Sequence, residues 1–485
     1  MKNILIAIRS IFKKGRHNVM KIVSLGIGLA VGLVLIAKVY FEQSYDDFYP
    51  DRDRVYQVWA KYQQNGGELK DYPQTSGGIA PTMQQQIPEI ETVTRYTSFG
   101  DWTFTMTDTK MKYSGRCIIA DSCFFDILPR PMLIGNAKEV LSIPMYVLVS
   151  SRIAKNIGGD VIGKNFTVDS SPGRTMTIGG VFEEVPENSH SRYDVIVSMA
   201  SAGRFMWEGS PTNMLGNDRY ISYVKLHKGV NPLALEEQVH TFVNSYFPPE
   251  EQQKTGFNIG FSFHELDGLH KELPQVKRMT WILSLLAFAL IFTAVMNYIL
   301  IVISSIVNRS KEVAVHKCYG ASENNIHGMM FGEALVHIVL SLILALLLIL
   351  AFRGTVEELL ATSLDSLLLS NGSLVLLGIC ILVFFVSGFM PGSLYARIPV
   401  ASAFRNYREN KRIWKKALLL VQFVATGFLV TMLVFVARQY TFMVNDRPGY
   451  AYENLAYCGL AGVDSTSRAK ILDEVMRLPG VVAAT

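Results

Sequence analysis

Residues 279–308 run for 30 positions without one charged side chain. A helix of that length rises about 45 Å, more than the ~30 Å hydrocarbon core of a bilayer. No ordinary soluble domain keeps so long a segment out of water, so this run fixes the class of the chain as membrane-spanning. A second apolar run, 334–352, follows closely, and a short charged element at 308–322 lies between them. Two spans pin that element at one membrane face, where a soluble partner is able to push on it.

The rest of the composition agrees. The 485 residues are 49% hydrophobic and the mean hydropathy is positive, which few soluble proteins of this length reach. Five spans are expected, at 22–41, 279–307, 334–352, 373–396 and 417–437. The net charge of +5 is concentrated near them and does not indicate a nucleic-acid partner. Lys2, Arg9, Lys13, Lys14, Arg16 and Lys21 precede the first span with no acid among them. Arg397, Arg405, Arg408, Lys411, Arg412, Lys415 and Lys416 stand against Glu409 between the fourth and fifth. The loop between the third and fourth spans is instead acidic, with Glu357, Glu358 and Asp365 against Arg353.

The positive-inside rule then places the N-terminus and the charged element in the cytoplasm. It gives a basic amphipathic cytoplasmic segment at 1–21, a large extracytoplasmic domain at 42–278 and a cytoplasmic basic segment at 397–416. The first span is not a cleaved signal, because no small-residue cleavage site follows its apolar stretch. Lys38, near its outer end, is expected to extend its ammonium toward the headgroups.

The outer domain reads as mixed α/β. Strands are expected at 55–62, 145–150, 163–169, 175–181, 219–227 and 258–264, and helices at 79–87, 151–156 and 233–246. Gly158, Gly163 and Lys164 fall at the spacing of a P-loop. Asn165 stands where the Mg²⁺-binding hydroxyl belongs, so a glycine turn between a helix and a strand is the better account. The nine histidines show no metal spacing, and no nucleophile constellation can be assembled. No catalytic, cofactor or metal residue is expected. Cys117 and Cys123 are both extracytoplasmic, and spacing alone does not decide whether they pair.

Residues near the two ends match at a constant offset of 396: Ala7 with Ala403, Arg9 with Arg405, Arg16 with Arg412 and Gln43 with Gln439. Each set brackets a basic segment, a span and a polar tail, so a duplication is expected. On that reading 417–437 opens a second repeat, 438–485 begins an incomplete second outer domain, and the chain is a fragment of a longer one.

In the membrane part, Gly28 and Gly32 form a small-xxx-small pair suited to close helix packing. Gly388, Pro391 and Gly392 are expected to kink or end the fourth span. In the charged element, Ser322 with Glu323 suits a helix start. The residues themselves leave open whether 308–322 is a solvated loop or a docking surface, and whether Glu333 is solvated at the interface or anchors that element.

Lys311, Glu312, Val313, Val315, Gly320, Ala321 and Glu333 together resemble the signature of the MacB/FtsX-type ABC permeases, approximately R-E-I-G-I-R-x-x-x-G-A with a Glu heading the next span. Ala314 replaces the usual glycine, and His316 the usual basic residue. The stretch from Ile162, Gly163 and Lys164 to Asn188, Ser189 and His190 resembles the family's periplasmic core domain. Span order and the insertion after the first span agree, and the likeness is greatest to the long duplicated bacterial forms.

The resemblance implies an α-helical membrane protein with a large extracytoplasmic α/β (α+β) domain inserted after the first span, and an FtsX-like unit at 279–396. It implies a bacterial inner-membrane permease subunit without catalysis of its own. A cytoplasmic ABC ATPase dimer would bind ATP and Mg²⁺ and press on a coupling element at 308–325. Its contact residues would be Arg309, Lys311, Glu312, Val313, Val315, His316, Lys317, Gly320, Ala321, Ser322 and Glu333. Membrane lipids are further partners, and an extracytoplasmic or outer-envelope protein is left open. Relatives serve efflux or envelope-substrate handling. An ATP-independent receptor or scaffold is the alternative reading.

Overall fold

A computed structural model describes residues 17–169, 171–369, 372–396, 400, 413–445, 454–459 and 465–484. The chain divides into two units. One carries the long apolar helices, and the other is built on residues 44–273, inserted after the first of them.

In the membrane unit the helices are α1 (Asn18–Gln43), α2 (Pro274–Ser304), α3 (Ile306–Cys318), α4 (Glu323–Ala351), α5 (Ser373–Ala396) and α6 (Ile413–Asn445). Five of them, all but α3, are long and apolar enough to cross a membrane. α1 packs against both α2 and α4, and α5 packs against α4 and α2. Their shared core holds Leu25, Leu29 and Leu33 from α1, Ile299 and Ile303 from α2, and Ile338 and Ala345 from α4. Lipid tails are as apolar as leucine, so such helices gain little by merely hiding apolar surface; close approach decides the packing.

Small residues provide that approach. A Cβ added to Gly28 would stand 2.2 Å from Ala294 Cβ, and one on Gly32 would stand 2.4 Å from Ile291 Cγ1. One added to Gly26 would meet Leu344 of α4 at 2.9 Å. Outward, Leu346, Leu347 and Leu350 of α4 are exposed, as a lipid-facing surface requires. α5 continues through Pro391 to Ala396 rather than ending at Gly388–Gly392.

α1 begins at Asn18, so Lys21 stands in its first turn. One expectation needs correction here. Lys38 is buried: its ammonium lies 2.6 Å from Glu42, one turn on, and donates to Thr362 at 2.8 Å. A paired acid and a hydroxyl satisfy that charge without the headgroups. The repeat anchors Ala7, Arg9, Arg16, Ala403, Arg405 and Arg412 lie outside the described residues.

The inserted unit is built on one mixed sheet. Among the described residues it has 11 strands, in the order β11-β1-β10-β3-β4-β9-β6-β8-β5, with β2 on β1 and β7 joining β3 and β8. The strands are β1 (Val55–Gln64), β2 (Lys70–Tyr72), β3 (Ile90–Met106), β4 (Lys112–Ala120), β5 (Met132–Ile134), β6 (Tyr146–Ser150), β7 (Asn165–Val168), β8 (Ser171–Phe182), β9 (Val195–Ser198), β10 (Ile221–Leu226) and β11 (Phe257–Glu265). β9 is buried along its whole length between β4, parallel to it, and β6, antiparallel. Its unbroken Val195, Ile196, Val197 run is the pattern of a strand covered on both faces.

Gly100, at φ +73°, shifts the β3–β4 register. This bulge bends β3, whose far end then pairs with β7 through Phe104 and Val168. Helix Glu236–Tyr246 turns Val239, Phe242 and Val243 inward, the i, i+3, i+4 face expected of an amphipathic helix, onto Val58 and Val224. Full burial of Phe242 is worth about 2–3 kcal/mol. At the P-loop-like spacing, Gly158, Gly159 and Gly163 all take positive φ between helix Ser151–Ile157 and β7.

Candidate coupling element and domain latch

The charged segment is a helix, α3, and not a loop. It is set off from α2 at Ser305, whose buried hydroxyl donates to Val302 O at 2.6 Å. Tyr395 of α5 holds the same break, donating to Val302 O at 3.0 Å with Ser305 Oγ 3.1 Å away. At its other end α3 closes in a Schellman turn: Ala321 N donates to His316 O at 3.0 Å, and Gly320 N to Lys317 O at 3.0 Å. Gly320 sits at φ +86°, where a side chain would be strained. Two residues on, Ser322 caps α4 by accepting from Asn325 N, with Glu323 in the first turn. The α3–α4 corner is therefore fixed by two adjoining caps.

The faces of α3 divide the expected contact residues. Val313 is buried in the membrane-unit core beside Ala314, so it seats the helix and does not face a partner. Lys311, Val315, His316 and Gly320 are exposed; Glu312, Lys317 and Ala321 are partly so, and Ser322 is exposed at the corner. Tyr319, which sequence reasoning passed over, is 89% exposed. Lys311, Val315 and Tyr319 recur every fourth residue and form one stripe. The Arg309 side chain lies outside the described residues. Glu333 is turned inward, 5% exposed, and its Oε1 lies 3.5 Å from Lys21 Nζ of α1.

In the inserted unit, the residues just after α1 are held by a second constellation. Asp46 is fully buried at φ +60°. Its carboxylate accepts from Ser189 Oγ at 2.9 Å and lies 2.6 Å from His190 Nδ1. The other ring nitrogen of His190 meets the Tyr223 hydroxyl on β10. Backbone and side chain add to the latch: Asp46 N donates to Asn188 O at 2.9 Å, and Asn188 Nδ2 donates to Ser44 O at 2.7 Å. Ser191 Oγ donates to Tyr96 OH at 2.5 Å, and burial pushes the Tyr96 phenol up to about 12, so it stays protonated.

The outgoing segment is tied to the incoming one as well. Tyr45 stacks on His270 with ring centroids 3.5 Å apart. Arg52 reaches Asp47 at 2.9 Å and Asp267 at 3.3 Å, and Lys271 reaches the same acids at 3.3 and 2.8 Å. Each pair is partly exposed and worth little alone. As a closed ring of four charges they hold both connections of the domain in one register.

Among the described residues no three His, Cys, Asp or Glu side chains gather as a metal site. Cys117 and Cys123 are free thiols, and burial pushes both upward in pKa.

The fold and these elements define a protein with membrane-spanning helices and an inserted α/β domain. A family model described as the MacB-like periplasmic core domain matches residues 20–242, and one described as the FtsX-like permease C-terminal matches 284–400. A domain of a permease-type protein from Porphyromonas gingivalis is 32% identical, with a TM-score of 0.41; the match covers 45% of this chain and 91% of that one. The periplasmic region of MacB from Actinobacillus actinomycetemcomitans is 16% identical with a TM-score of 0.29, covering 45% and 92%. The extracellular domain of the noncanonic ABC-type transporter YknZ from Gram-positive bacteria is 10% identical with a TM-score of 0.31, covering 42% and 98%. No curated protein matches. The chain belongs to the MacB/FtsX-type permease family, whose members are inner-membrane subunits of ABC-type transporters carrying a periplasmic domain.

Proposed function

We propose that this protein is a mechanotransmitter. A cytoplasmic ABC ATPase dimer, carrying the ATP and Mg²⁺, closes against α3 and displaces it. α1 and α2 relay that displacement to the inserted domain, which handles an efflux or envelope substrate outside the membrane. The protein itself performs no catalysis, and its N-terminus and α3 lie in the cytoplasm.

The observation that supports this reading best is the setting of α3. Its Lys311, Val315 and Tyr319 stripe faces outward while both its ends are fastened, at Ser305 to Tyr395 and at Gly320 to the α4 cap. A solvated loop has no need of two such fastenings; a lever does. Arg309, Lys311, Glu312, Val315, His316 and Lys317 are the proposed contact residues, with Val313, Gly320, Ala321 and Ser322 shaping the element.

The test is co-purification of a P-loop ATPase from detergent-solubilised membranes with the wild type and with Glu312→Lys. Capture by wild type alone supports the docking role. Equal capture by both removes Glu312 from the contact, and capture by neither favours an ATP-independent receptor or scaffold.

A further inference from the structure

α1 contains charged residues near both ends and none between: Lys21, then 16 uncharged residues, then Lys38. Burying an ammonium is costly, and a chain keeps one in a span only where something answers it. Lys21 has no exposed surface, and its Nζ lies 3.3 Å from Asn18 Oδ1 and 3.5 Å from Glu333 Oε1. Glu333 lies on α4, 11 residues beyond Ser322 and so about 16 Å along the same helix. The corner at Ser322, with a cap on each side, joins α4 to α3.

Around this pair the grip of α4 on α1 continues. Ser341 Oγ donates to Ile22 O at 3.1 Å, and Gly26 lets Leu344 approach. Farther along, α1 turns Gly28 and Gly32 to α2 instead. Of these contacts the ion pair is the one that resists sliding. Apolar contacts in a membrane exchange for equivalent ones at small cost, whereas separating a buried carboxylate from an ammonium gives up an attraction that low-dielectric surroundings make strong.

We infer that Lys21 and Glu333 are a positioning pair that locks α1 to α4, so that a displacement of α3 is passed to the first span. α1 runs on to Gln43, and the next residues, Ser44 to Asp46, are those fastened to Asn188, Ser189 and His190. The proposal rests on the mechanotransmission reading and adds the specific linkage. It gives Lys21 a task beyond its positive charge, and it takes Glu333 from the ATPase contact and assigns it to the transmission inside the membrane.

The experiment uses the full chain in lipid nanodiscs with the P-loop ATPase that co-purifies with it. Amide hydrogen exchange of peptides covering 44–54 is compared with and without Mg-ATP. Lys21→Met and Glu333→Gln break the pair, and the double reversal Lys21→Glu with Glu333→Lys restores it in the opposite sense. Lys21→Met is expected still to capture the ATPase while the ATP-dependent exchange difference falls roughly tenfold or more, in keeping with loss of a buried pair. The double reversal is expected to recover most of it, which a general loss of folding would not allow.

Singles that respond to ATP like wild type overturn the linkage, as does a double reversal no better than either single. If wild type itself captures no ATPase, the mechanotransmission reading fails, and the linkage with it. Capture with normal ATP response in every variant overturns the linkage alone.

Discussion

Removing the Asp46 carboxylate should loosen the incoming end of the inserted domain without unfolding its sheet. In Asp46→Ala the hydroxyl of Ser189 and the Nδ1 of His190 lose an acceptor at 2.9 and 2.6 Å in a fully buried setting. Hydrogen bonds to a charged group are worth about 1.5–3 kcal/mol each. The backbone bond from Asp46 to Asn188 and the Asn188 amide to Ser44 remain, so the net local loss is expected near ~4 kcal/mol. Alanine also tolerates the left-handed conformation at φ +60° less well than aspartate does.

The assay is native-state hydrogen exchange on the full chain. A loss of that size speeds exchange at 44–49 and 188–191 by about two to three powers of ten, while β9 and β6 keep their protection. Asp46→Asn retains a side-chain oxygen and suits the backbone, so its effect should be far smaller. Exchange of the Asp46→Ala latch within about twofold of wild type would refute the reasoning, because losses near ~4 kcal/mol cannot hide in that range.

Other perturbations test the membrane unit and the charge network. Gly320→Val forces a β-branched side chain to φ +86° and should cost about 1–2 kcal/mol at the α3–α4 corner, read as reduced ATPase capture that Gly320→Asn largely restores. Gly28→Leu drives a side chain into Ala294 and should lower thermal stability in detergent by about 1–3 kcal/mol, whereas Gly427→Leu, with open space beside it, should not.

In the outer domain, the Lys225 ammonium hydrogen-bonded to Asp51 holds that carboxyl below its ordinary value of 3.8. The unfolded chain therefore takes up the proton first on acidification. The stabilisation is present above pH ~4 and is lost as pH falls through the depressed folded value. Asp51→Asn should flatten that part of the acid limb in an exchange or melting series; an unchanged limb would show that other carboxylates carry it.

The sequence made the apolar helices legible because their signal is length without charge, which tertiary context does not alter. The strand 55–62 was legible through alternation and 219–227 and 258–264 as further candidates, and β1, β10 and β11 lie there. β3, the longest strand, was not assigned: Gly100 and Asp101 interrupt its pattern, yet the chain only bulges there and continues. β4 and β9 escaped for different reasons. One mixes Lys112, Ser114 and Arg116 among its apolar residues, and the other is too short to show a period.

The candidate site divides in the same way. Ser322 and Gly320 announced a helix corner, because caps are local chemistry. The inward turn of Val313 and Glu333, the exposure of Tyr319, and the pairing of Lys21 depend on residues far away in the chain. Lys38 illustrates the limit well. Its position near a span end is equally good for reaching the headgroups or for meeting Thr362, and only the fold brings Thr362 to it. Likewise Asn188, Ser189 and His190 were visible as a family-like stretch, but nothing in the sequence pointed to Asp46 as what they hold.

β1 and β11, the first and last strands of the inserted domain, are antiparallel neighbours, and Tyr56 faces Glu265 across them. The incoming and outgoing arms of a 230-residue excursion, 44–273, thus run within about 5 Å of each other at Tyr56 and Glu265. A domain closed on itself in this way is a cassette. Selection can enlarge it, reshape its loops or exchange it for another without asking the apolar helices to change their spacing, and a protein engineer can do the same. The natural place to cut is the pair of segments around Asp47 and Lys271, and any graft that brings its own two ends equally close should be accepted there.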